Sequence, residues 1–252
     1  PIYIIVIDGE HGIGTLEDWV ATARAAEAAG GQVILRVPDG SDSLLKRVLD
    51  RGFRSIIVPM VNSADEAAAI VGACRYPGQG RRGYAAPVVR GSRYGVTPGY
   101  GTGAAADELL LILQCEHIAA VDQVQAMVGV DGVDMLFIGP NDLAGSMGLL
   151  EQLTAPPVQE AIARVEAAAK AGGRWLGTIT GPGRDWADLD RLGYRLVVGP
   201  SDIALMIAGA RAAAAEALAI DEALGLAKTL SDGDSPAFIH GLLSAICDDT
   251  EG

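Results

Sequence analysis

Aromatic residues, basic residues and cysteine are all scarce in this chain. Phe, Trp and Tyr together make up 5% of its 252 residues, while half are hydrophobic and 33 are glycine. Such a composition suits small-residue helices packed on a sheet better than a β-sandwich. Only 19 Lys and Arg stand against 32 Asp and Glu, for a formal net charge of -13. Nonspecific nucleic-acid binding, which needs a basic footprint, is therefore excluded. The arginines that matter must act locally, each placed to meet a small anion. Cys74, Cys115 and Cys247 form no CxxC pair and no metal-ligand spacing, so they read as buried, reduced thiols of a cytoplasmic protein. No apolar run approaches the roughly 18 residues of a membrane span, and no signal-peptide pattern is read ahead of the first element. The Ala-rich stretch 208–219 is helix-like but carries Arg211 and Glu216. No membrane partner is expected.

What the chain does have is alternation. Short apolar runs at Ile2–Ile7, Val33–Arg36, Ser55–Val58, Leu110–Gln114, Asp134–Ile138, Trp175–Ile179 and Arg195–Val198 read as buried strands. Near-continuous apolar strands of this length belong to parallel sheets covered on both faces. Amphipathic segments lie between them at Leu16–Ala29, Leu44–Arg51, Ala64–Cys74, Ile118–Val128, Val158–Ala171, Asp185–Leu192 and Ile203–Leu218. Thr15 with Asp18, and Ser63 with Glu66, give the first and third of these a capping-box start. Repeated strand–helix units predict an α/β fold, a (β/α)8 TIM barrel. Seven strands are counted where the closed barrel has eight, and the chain opens directly in a strand, so the first strand–helix unit is read as lacking. The barrel domain is expected over residues 1–220, with a helical, acidic tail over 221–252.

In such a barrel the chemistry sits at the C-terminal ends of the strands. Asp8, Glu10 and His11 follow the first strand, Arg36 ends the second, Gln114 and Glu116 close the fourth, and Gly139-Pro140-Asn141-Asp142 follow the fifth. Glu116 and Asp142 are metal candidates, since two carboxylates completed by water and substrate oxygens suit a hard divalent ion. The alternative for Asp142 is a helix N-cap. Arg36, at the end of a buried strand, needs an anion: Asp50, another local acid, or a substrate carboxylate or enolate oxygen. The connection 75–108 is long and rich in Gly, Tyr and Pro, and its Arg81, Arg82, Arg90 and Arg93 fit an anion-facing or subunit-facing loop, or else a surface excursion.

Several of these segments resemble one family in order along the chain. They are Ile7-Asp8-Gly9-Glu10-His11-Gly12, Leu35-Arg36-Val37-Pro38, Leu49-Asp50-Arg51-Gly52, Val58-Pro59-Met60-Val61-Asn62, Arg75-Tyr76-Pro77, Arg82-Gly83, Gln114-Cys115-Glu116, and Gly132-Val133-Asp134 through Phe137 to Leu143. The chain resembles the HpcH/HpaI aldolases over roughly residues 1–220. The resemblance implies reversible, divalent-metal-dependent cleavage of a 4-hydroxy-2-oxo acid into pyruvate and an aldehyde. Glu116 and Asp142 would hold Mg²⁺ or Mn²⁺, with Co²⁺ also accommodated. Arg36 would stabilise the enolate oxygen. Gln114, Gly139, Pro140 and Asp142 would help place the substrate, and Asp8 would support that end of the site. His11, oriented by Asp50, would manage proton transfer. Lys46, Lys170 and Lys228 fall in helix-like regions, so no Schiff-base lysine is expected. A homo-oligomer, a hexamer or trimer of dimers with an exchanged C-terminal helix, is also implied. Oxaloacetate decarboxylation, a citrate-forming condensation, and a truncated barrel without catalysis are the competing readings.

Overall fold

The computed structural model describes residues 4–215. Seven strands, β1 (Ile4–Asp8), β2 (Gln32–Arg36), β3 (Ser55–Val58), β4 (Leu110–Cys115), β5 (Met135–Ile138), β6 (Trp175–Ile179) and β7 (Leu196–Val198), form one sheet in sequence order. Every neighbouring pair is parallel. Helices α1 (Leu16–Ala28), α2 (Asp42–Asp50), α3 (Ala64–Cys74), α4 (Ala104–Asp107), α5 (Ile118–Val128), α6 (Pro140–Ser146), α7 (Pro156–Ala171) and α8 (Trp186–Arg191) fill the connections. The result is a nearly closed TIM-type barrel with one strand–helix unit fewer than eight, as the apolar runs predicted. Pro1–Val198 make one compact unit and Gly199–Gly252 a second. In the second, residues 202–215 are helical. The expected tail 221–252 and Cys247 lie outside the described residues. Among the described residues no helix is long and apolar enough to cross a membrane.

Period-two alternation sorts each strand into two faces. Ile56, Val58, Leu111, Leu113, Leu136 and Ile138 pack outward against the helices, in one large core. Ile34, Ile57, Ile112, Met135, Phe137 and Leu196 fill the barrel interior, with Val6 packed against them. A side chain at Gly177 would put its Cβ 2.7 Å from the Phe137 ring, so that glycine makes room for the largest interior residue. Extending the inward parity by two residues places Asp8 above Val6, Arg36 above Ile34, Gln114 above Ile112 and Gly139 above Phe137. The apolar interior thus ends in a polar layer at the C-terminal rim.

Helix starts follow the local chemistry read from the sequence. The Asp18 carboxylate accepts the Thr15 N–H at 2.7 Å, and Ser63 Oγ accepts the Glu66 N–H at 3.1 Å. The 75–108 connection is not a loose excursion. Tyr76, Ala86 and Tyr100 make a small buried core of their own, and Arg82 lies 4.5 Å over the Tyr76 ring. Three of the four arginines singled out in it are engaged within the chain: Arg81 holds Asp42, Arg82 holds Asp50, and Arg90 holds Glu27 and the Arg51 carbonyl, while Arg93 is exposed.

Candidate active site

The site is built where the inward-facing rows of β1, β2, β4 and β5 end. Parallel pairing sets Asp8 directly opposite Arg36. Arg36 Nε donates to Asp8 Oδ1 at 2.9 Å and Nη2 donates to Asp8 Oδ2, while Nη1 lies 3.0 Å from Glu10 Oε2. Burial pushes Asp8 up, but the Arg36 hydrogen bond and charge, helped by the His11 and Glu10 N–H groups, leave it below the ordinary carboxylate range. Arg36 is likewise held more firmly protonated, its burial outweighed by Asp8 and then Glu10. Asp8 therefore works as the guanidinium's splint. The arginine's five N–H donors in a planar fork are only partly consumed, and the remainder face the rim.

Gln114 and Glu116 stand two residues apart on the same face of β4 and its end. Glu116 is buried at 2% exposure, and it accepts the Met60 N–H at 2.8 Å and the Gln114 side-chain amide. Met60 adopts a left-handed backbone, φ 53°, that a branched or bulky side chain rarely takes. That strained turn after β3 is what aims its N–H at the carboxylate. Burial pushes the Glu116 carboxyl up, the two N–H donors offset part of this, and the Glu10 and Asp142 carboxylates add to the rise. Glu10 is shifted the same way by its burial, with Asp8 and Asp142 adding and Arg36 and His11 opposing. One buried oxygen, Glu10 Oε2, has no hydrogen-bond partner despite its nearness to Arg36.

The Glu10 and Glu116 carboxyls, both pushed up by burial and by neighbouring carboxylates, make a setting that a divalent cation would neutralise. Among the described residues no three His, Cys, Asp or Glu close into a complete metal cage. The donor set fits an ion held by two carboxylates that keeps open positions, the arrangement hard cations use when substrate completes the shell.

The profile described as HpcH/HpaI aldolase/citrate lyase matches residues 3–208. The chain belongs to the HpcH/HpaI aldolase/citrate lyase family. It is 40% identical over 173 residues to the 2-keto-3-deoxy-L-rhamnonate aldolase of Klebsiella pneumoniae, an alignment covering 67% of this chain and 64% of that protein. It thus spans less than two thirds of that relative's length. An HpcH/HpaI aldolase/citrate lyase family protein of Burkholderia cenocepacia superposes with a TM-score of 0.78 at 34% identity, covering 85% of each chain. The citrate synthase SbnG superposes with a TM-score of 0.76 at 26% identity, over 86% of this chain and 85% of that one.

Against the HpcH/HpaI motif set, Asp8, Arg36, Gln114, Glu116 and Gly139 gather at one rim. Asp142 sits in the first turn of α6 and is close enough to act on both Glu116 and Glu10. It does not cap that helix, because Gly139 does. Arg36 finds its anion in Asp8 and not in Asp50. The expected His11–Asp50 pair is not made within this chain. Asp50 ends α2, which runs antiparallel to the strands and so delivers it towards the opposite end of the barrel, where Arg82 Nη2 donates to it at 2.7 Å. His11 instead stands at the rim, its side chain 67% exposed and 3.6 Å from Glu10.

Glu10 is among the acids read at the end of the first strand, but the family resemblance gives it no role; its two-residue offset from inward-facing Asp8 is the signal that places it at the rim. The Met60 N–H carries no side-chain signal at all. Gly139 has a steric reason to be glycine: a Cβ there would stand 2.5 Å from Glu116 Oε2 and 2.8 Å from Glu116 Cβ. Gly139→Ala should therefore displace the Glu116 carboxylate. A shift of this kind lowers turnover by about 10²-fold, while the thermal midpoint changes little. Steady-state kinetics beside a melting curve check this, and unchanged kinetics would refute the close approach.

Proposed function

We propose that this chain is a carbon–carbon lyase that reversibly cleaves 4-hydroxy-2-oxo acids to pyruvate and an aldehyde, with a divalent metal, Mg²⁺ or Mn²⁺ or Co²⁺. The observation that carries the reading is the meeting of Glu10, Glu116 and Asp142 with Arg36 on the C-terminal rim of the barrel. Glu116 and Asp142 would hold the cation, which when bound supplies Lewis-acid stabilisation of an enolate. Gln114 and the Met60 N–H orient Glu116 for that task. Arg36, splinted by Asp8, directs its unused N–H groups at the oxygen that gains negative charge as the C–C bond breaks. Gly139 and Pro140 form the floor on which a small 2-oxo acid rests. His11, exposed beside Glu10, is the group placed to move a proton at the rim.

The opposite placement of His11 and Asp50 favours a homo-oligomer. If the two cooperate as the family resemblance implies, Asp50 reaches a histidine of a second copy, as a hexamer or trimer of dimers would allow. The exposed Ile203, Leu205, Met206 and Ile207 of the second unit support the same proposal. The cytoplasm is the compartment that goes with this reading, since Cys74 and Cys115 are free and buried.

Pyruvate released from a 4-hydroxy-2-oxo acid, abolished by EDTA and restored by Mg²⁺ or Mn²⁺, is the expected result. Full activity in excess EDTA would overturn it. Oxaloacetate decarboxylation and a citrate-forming condensation, the latter favoured by the likeness to SbnG, share the enolate half of the chemistry. They differ in what supplies the enolate: oxaloacetate alone, giving pyruvate and CO₂, reports decarboxylation, and labelled acetyl-CoA with oxaloacetate, giving labelled citrate and free CoA, reports condensation.

A further inference from the structure

The turn that joins β3 to α3 carries one side chain, Asn62, for which the proposed chemistry has so far no use. Val61 anchors the turn, buried in the large core, and Met60 and Asn62 flank it. Met60 is 46% exposed, so its side chain adds little packing, yet its backbone takes the left-handed φ of 53°. A residue other than glycine keeps that conformation only where its surroundings impose it.

The imposing contacts converge on one peptide. The unit between Met60 and Val61 is fixed on both sides. Its N–H, that of Val61, donates to the Gln114 carbonyl at 3.2 Å. Its carbonyl, that of Met60, accepts from Asn62 Nδ2 at 3.0 Å. Asn62 is in turn tied to the start of α3, because its backbone N–H donates to Glu66 Oε2 at 2.7 Å, and the Glu66 N–H donates to Ser63 Oγ. Among the described residues, Asn62 Oδ1 is buried without a partner. That half of the amide costs stability, so what the side chain contributes is the position of the Met60 carbonyl. A peptide held at both ends cannot turn over, and Met60 cannot relax to the right-handed region. Its own N–H therefore stays aimed at Glu116 Oε1, 2.8 Å away.

Resting on the reading above that Glu116 holds the cation, we infer that Asn62 is a positioning residue of the metal site, acting through the Met60 peptide on the Glu116 carboxylate. The contacts run without a break from the helix start to the ligand: Glu66, Asn62, Met60, Glu116. They orient the carboxylate before a cation arrives, and support of this kind behind a ligating side chain sets affinity as well as geometry.

Two readouts on the full chain test the relay. In the metal-free protein, hydrogen exchange of the Met60 amide reports the aim of that N–H and needs neither cation nor substrate. Asn62→Ala should speed it by about tenfold or more, while the amides of the central strand β4 keep their rates. Titration with Mn²⁺ alone, followed by EPR, gives the affinity of the site. Asn62→Ala should weaken it by about tenfold, the low end of the loss when the support of a metal ligand is removed. Met60→Gly added to Asn62→Ala should recover most of both losses, since glycine takes the left-handed region without strain. An asparagine that only stabilised the fold would not be rescued in this way. Should the alanine chain not fold, Asn62→Asp, the same shape without the donor, carries the exchange measurement instead. Unchanged Met60 exchange or unchanged Mn²⁺ affinity in folded Asn62→Ala would overturn the inference, and so would losses that Met60→Gly leaves in place. Absence of Mn²⁺ binding by the unaltered chain would instead overturn the reading of Glu116 as a metal ligand, and this inference with it.

Discussion

Arg36→Met should slow metal-dependent exchange of the pyruvate methyl protons by about 10²–10³-fold, the loss typical when one preorganised donor is withdrawn from a developing oxyanion. Arg36→Lys should recover less than a tenth of it. A lysine ammonium cannot meet both Asp8 oxygens and still present spare donors to a substrate, whereas the guanidinium fork does both. Arg36→Met should also lower the melting temperature, because Asp8 and Glu10 would then face one another without a cation between them. The pH dependence has a definite sign. Asp8 titrates below its ordinary value in the folded chain, so its stabilising contribution is present above the usual carboxylate range and is lost as pH falls through the depressed value. The gap in melting temperature between parent and Arg36→Met should accordingly be full at neutral pH and close on acidification below about pH 4. Normal exchange in the folded variant would remove Arg36 from the mechanism.

Legibility followed the range of the interactions. Strands β3 and β6 and helices α3 and α5 lie where the apolar runs and capping residues put them, because those signals are local. The start of α6 was missed: Pro140–Ser146 is too short to show a helical period, and a Pro-Asn-Asp opening reads equally as a turn. The rim residues Asp8, Arg36, Gln114 and Glu116 were legible because strand ends on a barrel's C-terminal side converge whatever the intervening sequence. Their partners were not. Whether Arg36 meets Asp8 or Asp50 depends on strand register and on helix direction, and neither is written in composition or spacing. Arg82 and Asp50 are 32 residues apart and come together only because the 75–108 connection folds on its own tyrosine core. Its glycines and prolines announce a turn-rich segment but say nothing of where its arginines land.

Glu116→Gln should abolish metal binding and activity while making the metal-free protein more stable. The carboxylate is buried, is pushed up by that burial, and is opposed by Glu10 and Asp142; the Met60 and Gln114 donors and the Arg36 charge speak for its charged form. A neutral amide of the same shape removes the charge and keeps an acceptor for the Met60 N–H, while its NH₂ can donate to Gln114 once that amide turns its unpartnered Oε1 towards it. The melting temperature of the EDTA-treated variant should rise by roughly 2–4 °C above that of the EDTA-treated parent, the shift about 1 kcal/mol produces in a domain of this size. With Mg²⁺ or Mn²⁺ added, the order should reverse: the parent gains stability by mass action on its folded state, and the variant gains none. Two melting curves per protein, with and without metal, settle the matter independently of any substrate. A variant less stable than the parent in EDTA would mean that Glu116 is a structural hydrogen-bond acceptor and not a site held ready for a cation. A variant that still gains stability from metal would place the cation on other residues, and Glu10, whose carboxyl acts on Glu116, would be the next to replace.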